Sequence, residues 1–266
     1  MRATFVPVLL LLAGCGGARP SCPPIGVELR LPGARGPDAE AVLRRELGEI
    51  RGGPLAWTDL AERLPRAGTA VLDDYVARGY WDARTEAPVL ELSADRRRVT
   101  ITVPVSEGAR YRVGALAFRD AERPDGVLGE SEARAALRSG DWALDSQLAA
   151  AGDALRRAYG ERGHAHCDVQ VIPHRREGTL DVTFEVTAGP AYVIDAVDEL
   201  GEQGPIPLEA PLASIPLGEL YVRSRIDRVQ QELEALHPGM RVSLRVEPLG
   251  DEPDHALLRA LVWTPR

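Results

Sequence analysis

The sequence predicts an α+β protein of three tandem domains, each a three-stranded mixed β-sheet covered by two helices in the order β-α-α-β-β. The first supporting observation is an internal repeat. Residues 75–80, Tyr-Val-Ala-Arg-Gly-Tyr, align with residues 159–164, Tyr-Gly-Glu-Arg-Gly-His. The second is a strand pattern that recurs behind each block, again about 80 residues apart. Self-similarity at a fixed period indicates a chain built from repeated structural units.

Alternating side chains define the strands of each copy. Residues 99–105 alternate apolar with polar positions, and residues 180–186 repeat the alternation. A period of two indicates a strand with one buried face. A weaker third copy has two such segments, at residues 240–246 and 256–262. Opening strands are expected at residues 25–31, 111–118 and 192–197.

Helical periodicity fills the intervals between these strands. Apolar side chains recur at helical spacing within residues 71–76, 148–159 and 226–236. Gly79 and Gly163 are expected to end two of these helices, because glycine readily adopts the left-handed backbone that closes a helix. Shorter first helices are expected at residues 38–47, 130–137 and 208–215.

The first 14 residues resemble a bacterial export signal. Arg2 precedes an apolar run that is too short to span a membrane, which takes about 20 apolar residues. The run ends in Leu-Ala-Gly before Cys15, and this segment resembles the lipobox of bacterial lipoproteins. The resemblance implies a lipid on Cys15, a flexible tether at residues 15–23 and, because Gly16 follows, sorting to the outer membrane. An ordinary signal peptide with an incidental cysteine is the alternative.

Three segments together resemble the POTRA (polypeptide-transport-associated) domain. They are the helix end at residues 75–80, the strand at residues 99–105 and the link at residues 107–114, which leads into the next copy. His164 departs from the family pattern, which has an aromatic residue there, and the third copy lacks the glycine–aromatic pair. The resemblance implies domains at residues 24–108, 109–188 and 189–266.

The resemblance implies a protein-binding scaffold or chaperone-like accessory in outer-membrane protein assembly or secretion. It would act on the periplasmic face of the outer membrane, and its partners would be β-barrel proteins or the barrel-assembly or translocation machinery. No catalytic residue, metal or cofactor is implied. The formal net charge of -8 argues against a nucleic-acid partner. The chain contains no lysine, which excludes a Schiff-base mechanism and a P-loop.

The strand order of the family places the second strand of each copy at a sheet edge. A proline is expected to close that strand in all three copies, at Pro88, Pro173 and Pro248, about ten residues after the helix-end glycine. Proline in sheets is confined to edges, ends and bulges. An edge strand can bind an extended segment by β-augmentation, unless solvent or the next domain covers it. The candidate binding residues are Ala83, Arg84, Thr85, Glu86 and Ala87, with Asp168, Val169, Gln170, Val171 and Ile172 in the second copy.

Two other functions remain open. One is a periplasmic structural or division-related interaction protein that uses the same domain. The other is a metal-dependent enzyme at His164 and His166, next to Cys167. A zinc site takes three or four converging ligands, whereas a strand at this position would point Cys167 away from the two histidines. The sequence therefore favours a polar strand start over a metal site.

Overall fold

The structure, a computed structural model, describes residues 26–34, 38–48, 54–95, 97–123, 126–201, 209–236, 238–250 and 252–263. The expected export signal, Cys15 and the tether lie outside the described residues. The chain divides into two compact units. The first unit comprises Met1–Val71 and Thr85–Val105, and the second comprises Leu72–Arg84 and Ser106–Arg266.

The first unit contains a three-stranded mixed sheet with two helices, as expected. The strand β1 pairs in parallel with β4, which pairs antiparallel with β3, so the order is β1-β4-β3. The last turns of α2 belong to the second unit, and β2 and β5 form a separate two-stranded ladder. The elements are β1 (Gly26–Arg30), α1 (Asp38–Leu47), α2 (Pro54–Ala77), β2 (Arg84–Thr85), β3 (Val89–Leu92), β4 (Arg98–Thr102) and β5 (Val105–Ser106).

The core of this unit follows from the two periodicities in the sequence. Val99 and Ile101 on β4 are buried, whereas the threonines between and after them are partly exposed. Leu43 and Leu47 lie one helical turn apart on α1 and are both buried. The strand and helix patterns therefore predict the buried face of each element correctly.

The second unit begins with a repeat of the same topology. The sheet order is β6-β8-β7, with β6 parallel and β7 antiparallel to the central strand β8. Tyr159, Leu155 and Phe184 are fully buried between the helices and the sheet. The elements of this second repeat are β6 (Arg112–Asp120), α3 (Glu130–Ala136), α4 (Asp145–Gly160), β7 (Asp168–Arg176) and β8 (Thr179–Thr187).

The third repeat has a four-stranded sheet of order β10-β9-β12-β11, one strand more than expected. The added strand β10 pairs with the first strand of the repeat, Leu220 with Val193. In the second repeat the corresponding pairing to the first strand is a single bridge between Trp142 and Arg112. The helix α5 is shorter than expected, and Leu208 lies outside the described residues. The elements are β9 (Val193–Gly201), α5 (Glu209–Leu212), β10 (Glu219–Leu220), α6 (Arg223–Leu236), β11 (Arg241–Leu249) and β12 (Glu252–Trp263).

None of the helices among the described residues is both long and apolar enough to cross a membrane.

Candidate protein-binding edges

Each larger sheet has at one edge a strand that comes after the long helix in the chain. These strands are β3, β7 and β11. The second strand of the second and third repeats is therefore an edge strand, as expected, whereas in the first repeat β3 comes after the short strand β2. The ranges that the sequence assigned to these strands need correction in the first repeat.

The expected edge strand of the first repeat lies too early in the chain. Of Ala83, Arg84, Thr85, Glu86 and Ala87, only Arg84 and Thr85 are in a strand, and that strand is β2 of the small ladder. The Glu86 N–H donates to the Pro104 carbonyl at 3.0 Å. The pairing with β4 begins only at Val89, after Pro88. The edge strand of this sheet is therefore β3, which the sequence analysis missed.

In the second repeat the expected range is correct at its start. Asp168, Val169, Gln170, Val171 and Ile172 are the first five residues of β7. The strand continues to Arg176, so Pro173 lies inside it and does not close it, and Pro248 likewise lies inside β11. An edge strand tolerates proline where the missing N–H would face solvent, so the prolines mark the edges but not their ends.

The edge strand β3 is the most apolar and the most exposed of the three. Val89, Leu90 and Leu92 are 51%, 42% and 43% exposed, and no proline interrupts the strand. Natural edge strands are commonly protected by proline, charge or cover. Among the described edge strands that follow a long helix, β3 lacks proline and has one charged side chain, Glu91.

Each of the other two edge strands is contacted by a side chain from the preceding repeat, from the turn that follows the long helix of that repeat. His166 lies with its Nε2 atom 2.9 Å from the carbonyl oxygen of Val246 on β11. Asp82 pairs with Arg175 on β7, at 3.5 Å between Oδ1 and Nη1. Within the described residues, β3 receives no such hydrogen bond. Asp82 and His166 therefore contact β7 and β11, whereas no turn residue in the described part of the chain contacts β3 in this way.

The two turn residues also contact the tyrosine at the start of the next repeat. The hydroxyl of Tyr111 donates to Asp82, and this hydrogen bond is the first cause of the raised pKa of Tyr111. The hydroxyl of Tyr192 lies 3.1 Å from Nδ1 of His166. Because the Val246 carbonyl only accepts, Nε2 of His166 donates in this hydrogen bond. An aspartate and a histidine thus perform the same structural role in successive repeats.

The helix-end glycines connect successive repeats, as the sequence repeat suggests. Gly79 and Gly163 have positive φ angles of 92° and 96°. Their carbonyl oxygens accept from the N–H groups of Tyr111 and Tyr192 at 2.8 and 3.0 Å. Both α2 and α4 are therefore followed by a left-handed residue whose carbonyl binds the residue just before the first strand of the next repeat.

A buried tyrosine near the ends of α2 and α4 anchors this arrangement. The Tyr75 hydroxyl donates to Glu107 at 2.9 Å, and burial, followed by this hydrogen bond, raises the pKa of Tyr75 to about 12. The Tyr159 hydroxyl donates to the buried Asp120, and its pKa is also raised, first by burial. Both phenols therefore stay neutral and donate at physiological pH.

The histidine and cysteine cluster lies in the turn between α4 and β7 and not on the strand where the sequence placed it. His164 is buried and its Nδ1 donates to the Gly189 carbonyl at 2.8 Å, while His166 is bonded as described above. Burial raises the pKa of the Cys167 thiol to about 11. Both imidazoles are hydrogen bonded to protein groups, and His164, His166 and Cys167 are not among the described side chains that come together as three possible metal ligands. The geometry therefore gives no support to the hypothesis of a metal-dependent enzyme.

Cys167 is expected to resist alkylation, because the thiolate is the reactive form. With a pKa of about 11, its thiolate fraction at pH 8 is more than about a hundredfold below that of an ordinary thiol. Peptide-resolved mass spectrometry after iodoacetamide treatment at pH 8 should show slow labelling of Cys167 in the native chain. Labelling should become fast in 8 M urea, which serves as the control. Equally fast labelling in both states would contradict this burial.

One group of carboxylate and imidazole donors lies on the third repeat. The donor atoms of Asp195, Glu252 and His255 are within 4.8 Å of one another. The His255 Nδ1 atom bonds to Asp195, and this hydrogen bond is the main cause of a raised pKa of His255. The hydrogen bond between the two strands explains the cluster without a bound ion.

Comparison with known proteins agrees with this architecture. No protein-family model matches the chain. The outer membrane protein assembly factor BamA of Neisseria meningitidis serogroup B is 24% identical over 221 residues, which cover 80% of this chain and 28% of that protein. The chain therefore spans little more than a quarter of the length of this relative.

A solved structure resembles the chain over nearly its full length. The crystal structure of POTRA domains 3–5 of Haemophilus influenzae BamA superposes with a TM-score of 0.68 and 18% sequence identity. The match covers 92% of this chain and 99% of that one. With its repeated β-α-α-β-β topology and its similarity to BamA, the chain has the fold of a tandem POTRA segment.

Proposed function

We propose that this protein is a periplasmic scaffold for outer-membrane protein assembly or secretion, anchored in the outer membrane by a lipid on Cys15. It consists of three POTRA-type domains at residues 24–108, 109–188 and 189–266, and it binds other proteins without catalysing a reaction. The similarity to BamA supports the general role. The lipobox-like sequence before Cys15 supports the anchor.

The observation that best supports the binding mode is the open, apolar edge of β3. A strand edge offers main-chain donors and acceptors to any extended segment, and exposed apolar side chains add affinity. Val89, Leu90 and Leu92 provide that apolar surface. The first five residues of β7, from Asp168 to Ile172, are the second candidate, although Pro173 limits the length of a ladder there.

The hydrogen-bond pattern of the β3–β4 hairpin shows which groups of β3 face outward. The Ser93 N–H donates to the Arg98 carbonyl at 2.9 Å, so these two residues form a hydrogen-bonded pair. Bonded and non-bonded pairs alternate along an antiparallel ladder. The main-chain groups of Leu90 and Leu92, opposite Ile101 and Val99, therefore point to the open edge.

A Leu92→Pro variant tests β-augmentation directly. Proline removes an outward N–H without taking a bond from the β3–β4 ladder, so the hairpin is expected to persist while strand addition weakens. We expect the yield of crosslinked partner, captured through a photo-crosslinking residue at position 89 in native membranes, to fall at least about tenfold. A Leu92→Ala control keeps the N–H and should retain most of the yield.

The identity of the captured proteins tests the wider role. Capture of β-barrel proteins or of their assembly or translocation machinery is the expected result. Capture of cell-envelope structural or division proteins alone would overturn the assembly role in favour of the structural alternative. Equal capture by the proline variant and the parent chain, with the circular dichroism spectrum unchanged, would show that β3 is not the binding strand.

A further inference from the structure

The sheet of the second repeat has a second edge, opposite β7, and this edge lies beside a groove. The strand β6 is the outer strand opposite β7, and a groove of about 410 Å³ separates it from α3. Arg112 and Val113 at the start of β6 are paired with residues 140–142, and Ser139 Oγ donates to the Gly114 carbonyl at 2.7 Å. Beyond this point, residues 116–120 form the outer edge of the sheet.

The surface along this edge is apolar at its base. Leu116 and Phe118 are partly buried and pack against the core of the repeat. Phe118 stacks on Phe184, with ring centroids 5.1 Å apart, which fixes its position beside the edge. A second cavity, of about 540 Å³, lies around Phe118 and Asp120 at the far end of β6. Room for a further strand therefore exists along the open part of β6.

The rim of this groove is basic in a chain whose net charge is -8. Arg134 and Arg138 line the groove. The cavity at its far end is lined by two arginines and two carboxylates, so the positive charge lies in the groove beside α3 and not in that cavity. Glu130 accepts from Nε and Nη2 of Arg134 at 2.8 Å, and the Arg134 guanidinium also lies over the Phe118 ring, with Cζ 4.7 Å from the ring centroid. Arg138 is exposed, and among the described residues it has no ion-pair partner.

The first repeat offers a matched comparison at the same place in its fold. A groove of about 350 Å³ lies between β1 and α1, where Arg44 pairs with Glu40 at 2.8 Å as Arg134 pairs with Glu130. This groove is also lined by Glu28 and Arg98, so its two guanidinium groups are balanced by two carboxylates. The groove beside β6 is lined by two arginines and no carboxylate, and since Glu130 pairs with Arg134, the charge of Arg138 is the one left unbalanced. Its positive charge is thus a property of the second repeat and not of the fold.

We infer that the groove between β6 and α3 binds an extended, acidic segment of a partner protein, which adds to the sheet as a strand beside residues 116–120. The open edge binds the main chain, Leu116 and Phe118 contact apolar side chains, and Arg134 and Arg138 bind carboxylates. This inference deepens the proposed function, on which it rests for the presence of a protein partner. It names a second binding edge and the charge of the segment that it takes.

The test uses a fluorescein-labelled peptide of nine residues in which glutamate and valine alternate. Its binding to the full chain is measured by fluorescence anisotropy at low salt. An Arg134→Glu/Arg138→Glu double variant should bind the peptide about tenfold more weakly, because two exposed ion pairs are lost. The Arg44→Glu variant, which changes the equivalent arginine of the first repeat, should bind it as the parent chain does.

A peptide with glutamine in place of glutamate is expected to bind about as weakly as the double variant binds the acidic peptide. Amide shifts of residues 116–120 on binding would support strand addition at β6. Equal affinity of the double variant and the parent chain, or equal losses in the double variant and Arg44→Glu, would overturn the inference. Neither result would affect the crosslinking at β3, which tests the proposed function independently.

Discussion

A chain in which alanine replaces Phe184 is expected to have a free energy of unfolding about 3–5 kcal/mol lower than the parent chain. Phe184 is fully buried on the central strand of the β6-β8-β7 sheet and stacks on Phe118 with an interplanar angle of 8°. Truncation removes the apolar contacts of the ring and leaves a cavity, since the helices and both neighbouring strands constrain the surroundings. Urea unfolding followed by circular dichroism measures the change.

The control for Phe184 is Glu185→Ala on the same strand. Glu185 points to the opposite, partly exposed face, and its ion pair with Arg119 spans 3.7 Å. A loose surface pair of this kind contributes little, so we expect a change within about 0.5 kcal/mol. A loss below about 1 kcal/mol for Phe184→Ala would mean that the ring is not part of a close-packed core.

The second large effect is expected at a helix-end glycine. A Gly163→Ala substitution places a Cβ atom at a φ of 96°, and that atom would lie 2.8 Å from Cδ1 of Leu220 and 3.1 Å from Cβ of Ala191. The backbone strain costs about 1–2 kcal/mol. Crowding between the second and third repeats adds about 1–2 kcal/mol, because Leu220 and Ala191 must move.

Gly178→Ala separates these two costs. Gly178 has a φ of 70°, but a Cβ atom there would meet no described atom within 4 Å. The Gly178→Ala variant should therefore show only the cost of backbone strain, a free energy of unfolding lower by about 1–2 kcal/mol. Urea unfolding of both variants gives the difference, which measures the contact between repeats. Equal losses in the two variants would show that this contact does not constrain Gly163.

Element order and repeat period were predictable from the sequence because they rest on local periodicity. The burial of alternating residues on β4 and β8 and the glycine ends of two long helices follow from patterns within a few residues. The four-residue strand β3 was not found, because all its side chains are exposed and it shows no buried face. The two-residue strand β10 is too short to produce any pattern.

The site residues were predictable only in part for a different reason. The prolines correctly pointed to edge strands, but the assumption that proline ends a strand misplaced the edge in the first repeat. Asp82 and His166 each contact the edge strand of the following repeat, and the residues that meet there are far apart in sequence. The charge of the groove beside β6 likewise arises from packing of a helix against a strand, which no local pattern encodes.

The prolines inside β7 and β11 also bear on how the chain behaves when many copies crowd together. Fibril growth requires an unbroken series of main-chain donors along each joining strand. Pro173 and Pro248 interrupt that series near the middle and near the end of their strands. Copies that pair through these two strands would form only short ladders. Aggregation through β7 and β11 is therefore disfavoured even when many copies lie close together.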